Sequence, residues 1–337
     1  MRRRLGLLLL LALALLTACQ GTKEPEAPLV LATVEGEGLR FYLARALREG
    51  DTNSLGAWPI PEIQDAKAWE DALWVLTKNE LLRYQTDAFT QDAAPSESEA
   101  RANSWTLPKS CTKGQLHLGR EDVLAVCSSQ TVYRLHRGRL TPVDTSELST
   151  YLAVTFALYP GDIGDMLAVA YALAQGWRLE LYDFIESETG ETAIALQKEQ
   201  HAEKPQTPEH FDLALDPSAP TLYVLATANP EAPALFAYTG ELGPPHSPEN
   251  VRFVDRVTAT MGVAVAYGEG FFVVQGGQLA EVPTYTDYRA AWISPNLYLY
   301  LASEDGLSIY DVAGLPPTRL QNLSLTGIQG LTGFTLR

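Results

Sequence analysis

Two short constellations in this chain carry residue types at a spacing that could do chemistry. In HFDLALD, His210 and Asp212 stand two residues apart. On an extended strand such neighbours share a face, so the carboxylate can orient the imidazole for acid–base work. In PGDIGD, Asp162 and Asp165 offer paired carboxylates in a turn, where a calcium ion would still want about six to eight oxygens. The plain alternative for both pairs is a strand entrance or a turn that faces water. The chain has only five histidines, His117, His136, His201, His210 and His246, with no two at ligand spacing on one element. It contains no GxSxG elbow, HExxH helix, phosphate-binding Gly-Lys loop, GxGxxG turn or EF-hand loop. No metal site and no cofactor are expected, and any catalytic set must be gathered from several strands.

Cys111 and Cys127 are the second kind of chemistry. A disulfide between them would close a loop of about 17 residues, worth on the order of 3 kcal/mol in the chain-entropy model. Two buried free thiols are the alternative. Neither cysteine has CxxC spacing, so a bridge would be structural.

Cys19 stands apart. Met1 is followed by Arg2, Arg3 and Arg4, an apolar run from Leu5 to Leu16, then Thr17, Ala18 and Cys19. A basic start, a short apolar core and small residues form an export leader, too short for the roughly 20 residues of a membrane span. The context Leu16-Thr17-Ala18-Cys19 resembles the lipobox of bacterial lipoproteins. That resemblance implies removal of residues 1–18, lipidation of Cys19 with diacylglycerol and an acyl chain such as palmitate, and a tether over 19–28. Two or more chains hold a protein firmly at a bilayer, whereas one holds it marginally. The implied location is extracytoplasmic, on a bacterial membrane, facing the periplasm or the cell surface. An even cysteine remainder outside the cytoplasm is compatible with one bridge.

The elements that would position these residues are strands. Seven apolar hairpin-like runs recur, at 29–42, 73–84, 123–135, 166–182, 222–238, 263–274 and 297–310. Five of them place a leucine three residues before a tyrosine: Leu39 and Tyr42, Leu81 and Tyr84, Leu179 and Tyr182, Leu235 and Tyr238, Leu307 and Tyr310. The mean interval is about 45 residues, a propeller-blade period. These runs are too continuous for half-exposed strands, so both faces must be covered, as between stacked blades. The stretches before Leu222, Met166 and Leu297 read as innermost strands, and RLTPV (139–143) and RLQNLSL (319–325) as outer ones. GLTGFTLR (330–337) has no hairpin after it, while the first run has no inner strand before it; the carboxyl-terminal strand should therefore complete the first blade.

Tyr310-Asp311 and Tyr182-Asp183 sit where WD repeats place Trp-Asp, and LYVLATAN (222–229) and LYLYLAS (297–303) are similar to the Tyr-Val-Thr-Asn strand. Residues 29–337 thus resemble a WD/YVTN-type β-propeller. Regular Gly-His dipeptides and the Asp-His-Ser/Thr-Trp network are missing. The expected fold is an all-β propeller of seven blades, with six or eight blades or a pair of β-sandwiches as alternatives. Polar stretches at 86–110 and 185–209 read as mobile insertions. The recurring tyrosines should pack between blades. Trp58, Trp69, Trp74, Trp105, Trp177 and Trp292 follow no common register; core packing is the plainer reading, with a ligand groove like those of sugar-binding surfaces as the other.

Charge narrows function. The chain carries 25 Lys and Arg against 41 Asp and Glu, a net −16, which becomes −19 when the three leader arginines are lost. Such a surface repels phosphate, which excludes nucleic-acid binding and polybasic attachment to lipid. Membrane contact is left to the lipid anchor. The expected function is that of a monomeric, non-enzymatic binding or scaffolding module for an envelope protein or a cell-wall ligand. The competing expectation is a hydrolase, lactonase or lyase with a metal or acid–base site in the central channel.

Overall fold

The computed structural model describes residues 27–36, 38–127, 131–146, 148, 154–173, 176–186, 192–202, 208–228 and 232–336. The leader, Cys19 and most of the tether lie outside the described residues.

Seven four-position sheets stand around one axis. Blade 1 orders β25 (Gly330–Thr335), β1 (Leu29–Glu35), β2 (Gly38–Leu43) and β3 (Ser54–Trp58) from the axis outward. Blade 2 holds β4 (Ile63–Trp69), β5 (Ala72–Thr77), β6 (Glu80–Gln85) and β7 (Arg101–Thr106). Blade 3 holds β8 (Gln115–Leu118), β9 (Asp122–Val126), β10 (Val132–His136) and β11 (Arg139–Val143), and blade 4 holds β12 (Val154–Pro160), β13 (Asp165–Ala172), β14 (Trp177–Glu186) and β15 (Thr192–Ala202). The outer strands of these two blades touch through one parallel bridge, Val143 to Thr192. Blade 5 has β16 (His210–Asp216), β17 (Thr221–Ala228) and β18 (Ala232–Tyr238), with isolated bridges from Leu235 to His246 and Tyr238 to Leu242 marking its fourth position.

Blades 6 and 7 share strands. β19 (Val254–Thr260) pairs with the first half of β20 (Val263–Gln275), and β21 (Gln278–Ile293) pairs with the second half, so β20 fills both middle positions. Gly270, with φ 92°, lies at the irregularity between the halves. β21 then continues from the outer edge of blade 6 to the inner edge of blade 7, where it pairs with β22 (Tyr298–Ser303), followed by β23 (Leu307–Asp311) and β24 (Thr318–Leu323). Two short helices, α1 (Ala44–Arg48) and α2 (Glu97–Ala100), decorate the ring.

The expected closure is present. β25 pairs antiparallel with β1 from Leu29 opposite Thr335 to Val34 opposite Gly330. This joins the two ends of the chain and removes an edge that would otherwise expose unpaired backbone groups.

Apolar continuity in the strands has the cause anticipated from sequence. Every residue of β13 is buried, because each sheet face packs on a neighbouring blade. The described core divides into seven clusters, one for each boundary between adjacent blades. At the boundary of blades 4 and 5, for example, Ala168 and Leu179 meet Phe211, Val224 and Phe236. Each large apolar side chain so buried contributes about 1.5–3 kcal/mol relative to exposure. The cluster between blades 2 and 3 includes Cys111 and Cys127, whose sulfurs are bonded, with Cα atoms 5.2 Å apart.

All five repeated tyrosines are buried. Their hydroxyls have different partners: Tyr84 donates to Glu97 at 2.6 Å, Tyr182 donates to Glu180, and Tyr310 lies 3.4 Å from Tyr288. The Tyr238 hydroxyl is buried without a partner among the described residues. The stretch 86–110 is not a mobile insertion. Ser96 caps α2 with a capping box, Phe89 enters the core, and β7 forms the outer edge of blade 2. Polar composition there reflects an exposed outer strand. In 185–209, β15 plays the same part for blade 4, while 187–191 and 203–207 lie outside the described residues.

Candidate functional site

One strand from each blade lines a cavity of about 770 Å³ along the axis: β25, β4, β8, β12, β16, β19 and the second half of β21. Inner strands must keep their backbone pairs on one side only, so polar side chains at their free edges bond across to the next blade. Asp65 on β4 accepts the Leu116 N–H of blade 3 at 2.8 Å, and Asp212 on β16 accepts the Val257 N–H of blade 6 at 2.7 Å. The Thr332 hydroxyl on β25 accepts the Ala68 N–H of blade 2 at 2.8 Å. Lower on β16, Asp216 accepts the N–H groups of Met261 and Gly262 at 3.1 and 2.6 Å. Similar side chains in different blades thus fasten neighbours by charge-assisted or neutral hydrogen bonds.

Asp212 lines this channel, whereas His210 is exposed at the start of β16 and outside the channel lining; both are hydrogen-bonded to blade 6 rather than to each other. The His210 Nε2 is 2.7 Å from the Asp255 carbonyl, which makes that nitrogen the donor. Asp212 is held by Val257 as described. Asp162 and Asp165 diverge in role. Asp165 is buried and accepts the backbone N–H groups of Glu121 and Asp122 in blade 3 at 2.8 and 3.0 Å, whereas Asp162 is exposed. Gly119 permits that close approach, since a Cβ there would lie 2.3 Å from the Asp165 carboxylate. Among the described residues, no three His, Cys, Asp or Glu side chains converge as a metal cage.

Sequence patterns did not single out the residues that do converge. Lys67 on β4 reaches into the channel and makes no hydrogen bond or ion pair with a described residue. Its charge is felt by three groups around the wall. Burial raises the Asp65 carboxyl above its ordinary range, and Lys67 opposes that rise. Burial pushes Asp212 up to about 6, against the Val257 hydrogen bond and Lys67. Burial holds His117 well below the ordinary imidazole value, and Lys67 lowers it further. His117 is therefore neutral at pH 7, and its buried Nε2 has no partner among the described residues. Tyr267, from β20, completes the wall; burial raises its hydroxyl strongly, with Asp212 adding to the effect. Blades 2 and 5, which carry Lys67 and Asp212, stand three steps apart in the ring of seven and so nearly face each other.

The arrangement can hold a polar ligand at several points: an ammonium at Lys67, a neutral imidazole at His117, and two carboxylates that are partly protonated in the acid range. The signal available in sequence was the alternation IQDAKAW in β4, where Asp65 and Lys67 share one face of an inner strand.

Among the described residues no helix is long and apolar enough to cross a membrane. No family model matches this chain, and no curated protein matches it. Solved structures do. The structure of apo AztD from Citrobacter koseri aligns over 91% of this chain and 97% of its own, with 11% identity and a TM-score of 0.50. The computationally designed Ika8 protein aligns over 91% and 90% at 11% identity and a TM-score of 0.54. KlAtg21, in complex with the coiled-coil of AgAtg16, aligns over 93% and 97% at 11% identity and a TM-score of 0.51. At this identity the likeness is one of fold, and function has to be argued from the residues themselves.

Proposed function

We propose that this chain is an extracytoplasmic binding module, anchored at a bacterial membrane through lipidated Cys19, which takes part of an envelope protein or a cell-wall ligand into its axial channel. One observation carries the reading: the axial cavity of about 770 Å³ coincides with the place where Lys67 and His117 offer polar atoms that no described residue uses. A preformed concavity with a few convergent polar groups is the usual form of a ligand site. The module acts as a monomer, and its acidic surface keeps it from nucleic acid.

A photoreactive residue at Gln329, on the channel lining, tests this by crosslinking in intact envelopes. A discrete adduct is expected from position 329 that is lost in Lys67→Ala and is not formed from exposed Leu320 on the outer strand. No adduct, together with a stoichiometric divalent metal retained by the purified protein, would overturn the reading.

The enzymatic alternative has its own supporting observation. Asp212, pushed up to about 6 and facing Lys67 and Tyr267, is poised as a general acid–base group would be. Hydrolysis of an ester, lactone or glycan panel that fails in Asp212→Asn would favour it.

A further inference from the structure

A second cavity, of about 340 Å³, opens between blades 2 and 3, and half of the chain's six tryptophans line it: Trp69, Trp74 and Trp105. The strand register explains how they meet. On the face of blade 2 that looks toward blade 3, Trp74 stands opposite Arg83, and Arg83 opposite Asn103, in one row across three strands. Trp105 stands opposite Leu81, one row along. The Trp74 and Trp105 rings stack with centroids 5.8 Å apart and planes 23° apart. The Trp105 indole N–H donates to the Gly138 carbonyl of blade 3 at 2.9 Å, which fixes that ring across the boundary.

At other blade boundaries some large aromatics are sealed in, while Trp292, between blades 7 and 1, is partly open. Trp58 and Tyr84, between blades 1 and 2, are fully buried, as is Trp177 between blades 4 and 5. Trp69, Trp74 and Trp105 are only partly covered. Three partly open indoles therefore gather in one groove, where incomplete cover forgoes burial worth roughly 25 cal/mol per Å² of apolar surface. A second, polar observation comes from the same place. Arg83 lies over the Trp74 ring at 5.7 Å, and its Nε is buried with no hydrogen-bond partner among the described residues. The nearest carboxylate, Asp71, is 3.8 Å from the far end of the guanidinium.

We propose that this groove binds an uncharged saccharide of one or two pyranose rings. The C–H face of a pyranose is apolar and packs on an indole, as other apolar surfaces do. Its hydroxyls both donate and accept, so they need fixed donors and fixed acceptors side by side. The groove supplies the guanidinium groups of Arg83, Arg120 and Arg137 as donors and the carboxylates of Glu70, Asp71 and Glu121 as acceptors. Opposite charges balance among those six, and Asp122 beneath them is already held by Arg134 at 2.9 Å and His136 at 2.6 Å. A net ionic preference therefore does not arise, which selects a neutral sugar over a sugar acid. The volume sits near the lower end of ligand cavities, roughly 300–1,000 Å³, enough for a short saccharide and too little for a long one. The groove adjoins the axial channel, with which it shares Trp69, Glu70 and Leu118, while Trp74, Arg83, Trp105 and Arg137 line the groove and not the channel.

The test uses the full chain with N,N′-diacetylchitobiose and cellobiose as neutral probes, and glucuronic acid and acetate as anionic ones. Tryptophan fluorescence and saturation-transfer NMR are followed in parallel. Saturable binding of at least one neutral disaccharide is expected, with strongest saturation on the C–H face of the sugar. Asp71→Asn combined with Arg137→Ala, both at exposed positions, should weaken it about tenfold while the melting temperature stays unchanged. Trp74→Phe keeps an aromatic packing partner and should weaken it similarly. Leu320→Ala, on the far edge of blade 7, should not. No saturation by either neutral disaccharide up to about 10 mM, binding indifferent to these groove variants, or binding of the anions alone would overturn the proposal.

Discussion

The closing seam and the axial channel touch along the same strand, β25, yet they are built by opposite means. At the seam, β25 and β1 exchange backbone hydrogen bonds over six residue pairs, and Phe334 drops into an aromatic cluster, 4.9 Å edge-on to Phe89. In the channel, Thr332 of that same strand contributes one hydroxyl to the Ala68 N–H of blade 2. The other polar groups come from several blades. The seam is continuous and apolar; the channel is polar, its groups supplied one or two per blade and linked through the charge of Lys67. Stability should therefore be concentrated at the seam and pH sensitivity in the channel.

The largest effect expected from this contrast is loss of the fold. Removing residues 330–337 leaves β1 without its inner partner and opens an edge between blades 1 and 7. The truncated chain should fail to give a cooperative thermal transition and should elute as aggregate in size-exclusion chromatography. A monomeric, two-state product would show that closure does not hold the ring. Next in size, Phe334→Ala should cost about 3–5 kcal/mol by deleting a buried ring from a rigid cluster, read by urea denaturation. Cys111→Ser with Cys127→Ser should cost about 3 kcal/mol, and the loss should be reproduced by a reductant in the unmodified protein and not in the double variant.

That same contrast explains what could be read from the chain. β25 and its partner were legible because strand pairing leaves a local trace: an orphan strand at one end and a missing one at the other. The seven-fold count was legible because Leu and Tyr recur at equivalent places in β2, β6, β14, β18 and β23. Blade 2's outer strand was not, because an exposed strand such as β7 reads as polar linker. Nor was the shared use of β20 and β21, where glycines at 268, 270, 276 and 277 give turn signals that only pairing can rank. The channel was the least legible part. Asp65, Lys67, His117 and Tyr267 belong to strands of three different blades, so nothing in their spacing announces that they meet. His210 and Asp212 were visible for their spacing, but what places them is blade 6, through Asp255 and Val257.

Within the channel, two groups should give opposite pH signatures. The Asp212 carboxyl is raised in the fold to about 6, so the native state holds its proton more tightly than the unfolded chain. Its contribution is complete below the unfolded value, about 4, and is lost as pH climbs through 6. Asp212→Asn keeps an acceptor for the Val257 N–H and should flatten that segment of the stability profile. At pH 7 it should gain about 1–2 kcal/mol, less than a two-unit shift implies because a channel-facing group keeps part of its hydration. His117 is lowered, so the unfolded chain takes up the proton first. Stability from its neutral form is present above about pH 6.5 and falls below it. His117→Leu should make the acid limb shallower. Denaturant titrations at pH 4, 5, 6 and 7 separate the two. Identical profiles for both variants would show that the channel groups do not titrate as their burial requires.

The smallest effect is expected from Lys67→Met, and it is the most pointed test of how the channel is organised. An unpaired, partly exposed ammonium adds little to folding, so the change in stability at pH 7 should stay below about 1 kcal/mol. Its field should nevertheless be visible in its neighbours. Lys67 favours the charged form of Asp65 and Asp212 and the neutral form of His117, so losing it should move all three titration midpoints upward together. Carbon-13 NMR of the two carboxyls and proton NMR of the imidazole would follow them. A seam variant such as Phe334→Ala, measured in its folded range, should leave those midpoints where they are, because it removes packing and no charge. Midpoints that stay fixed in Lys67→Met would mean that the ammonium points away from the axis. The channel would then be a set of separate fastenings between blades rather than a single polar site.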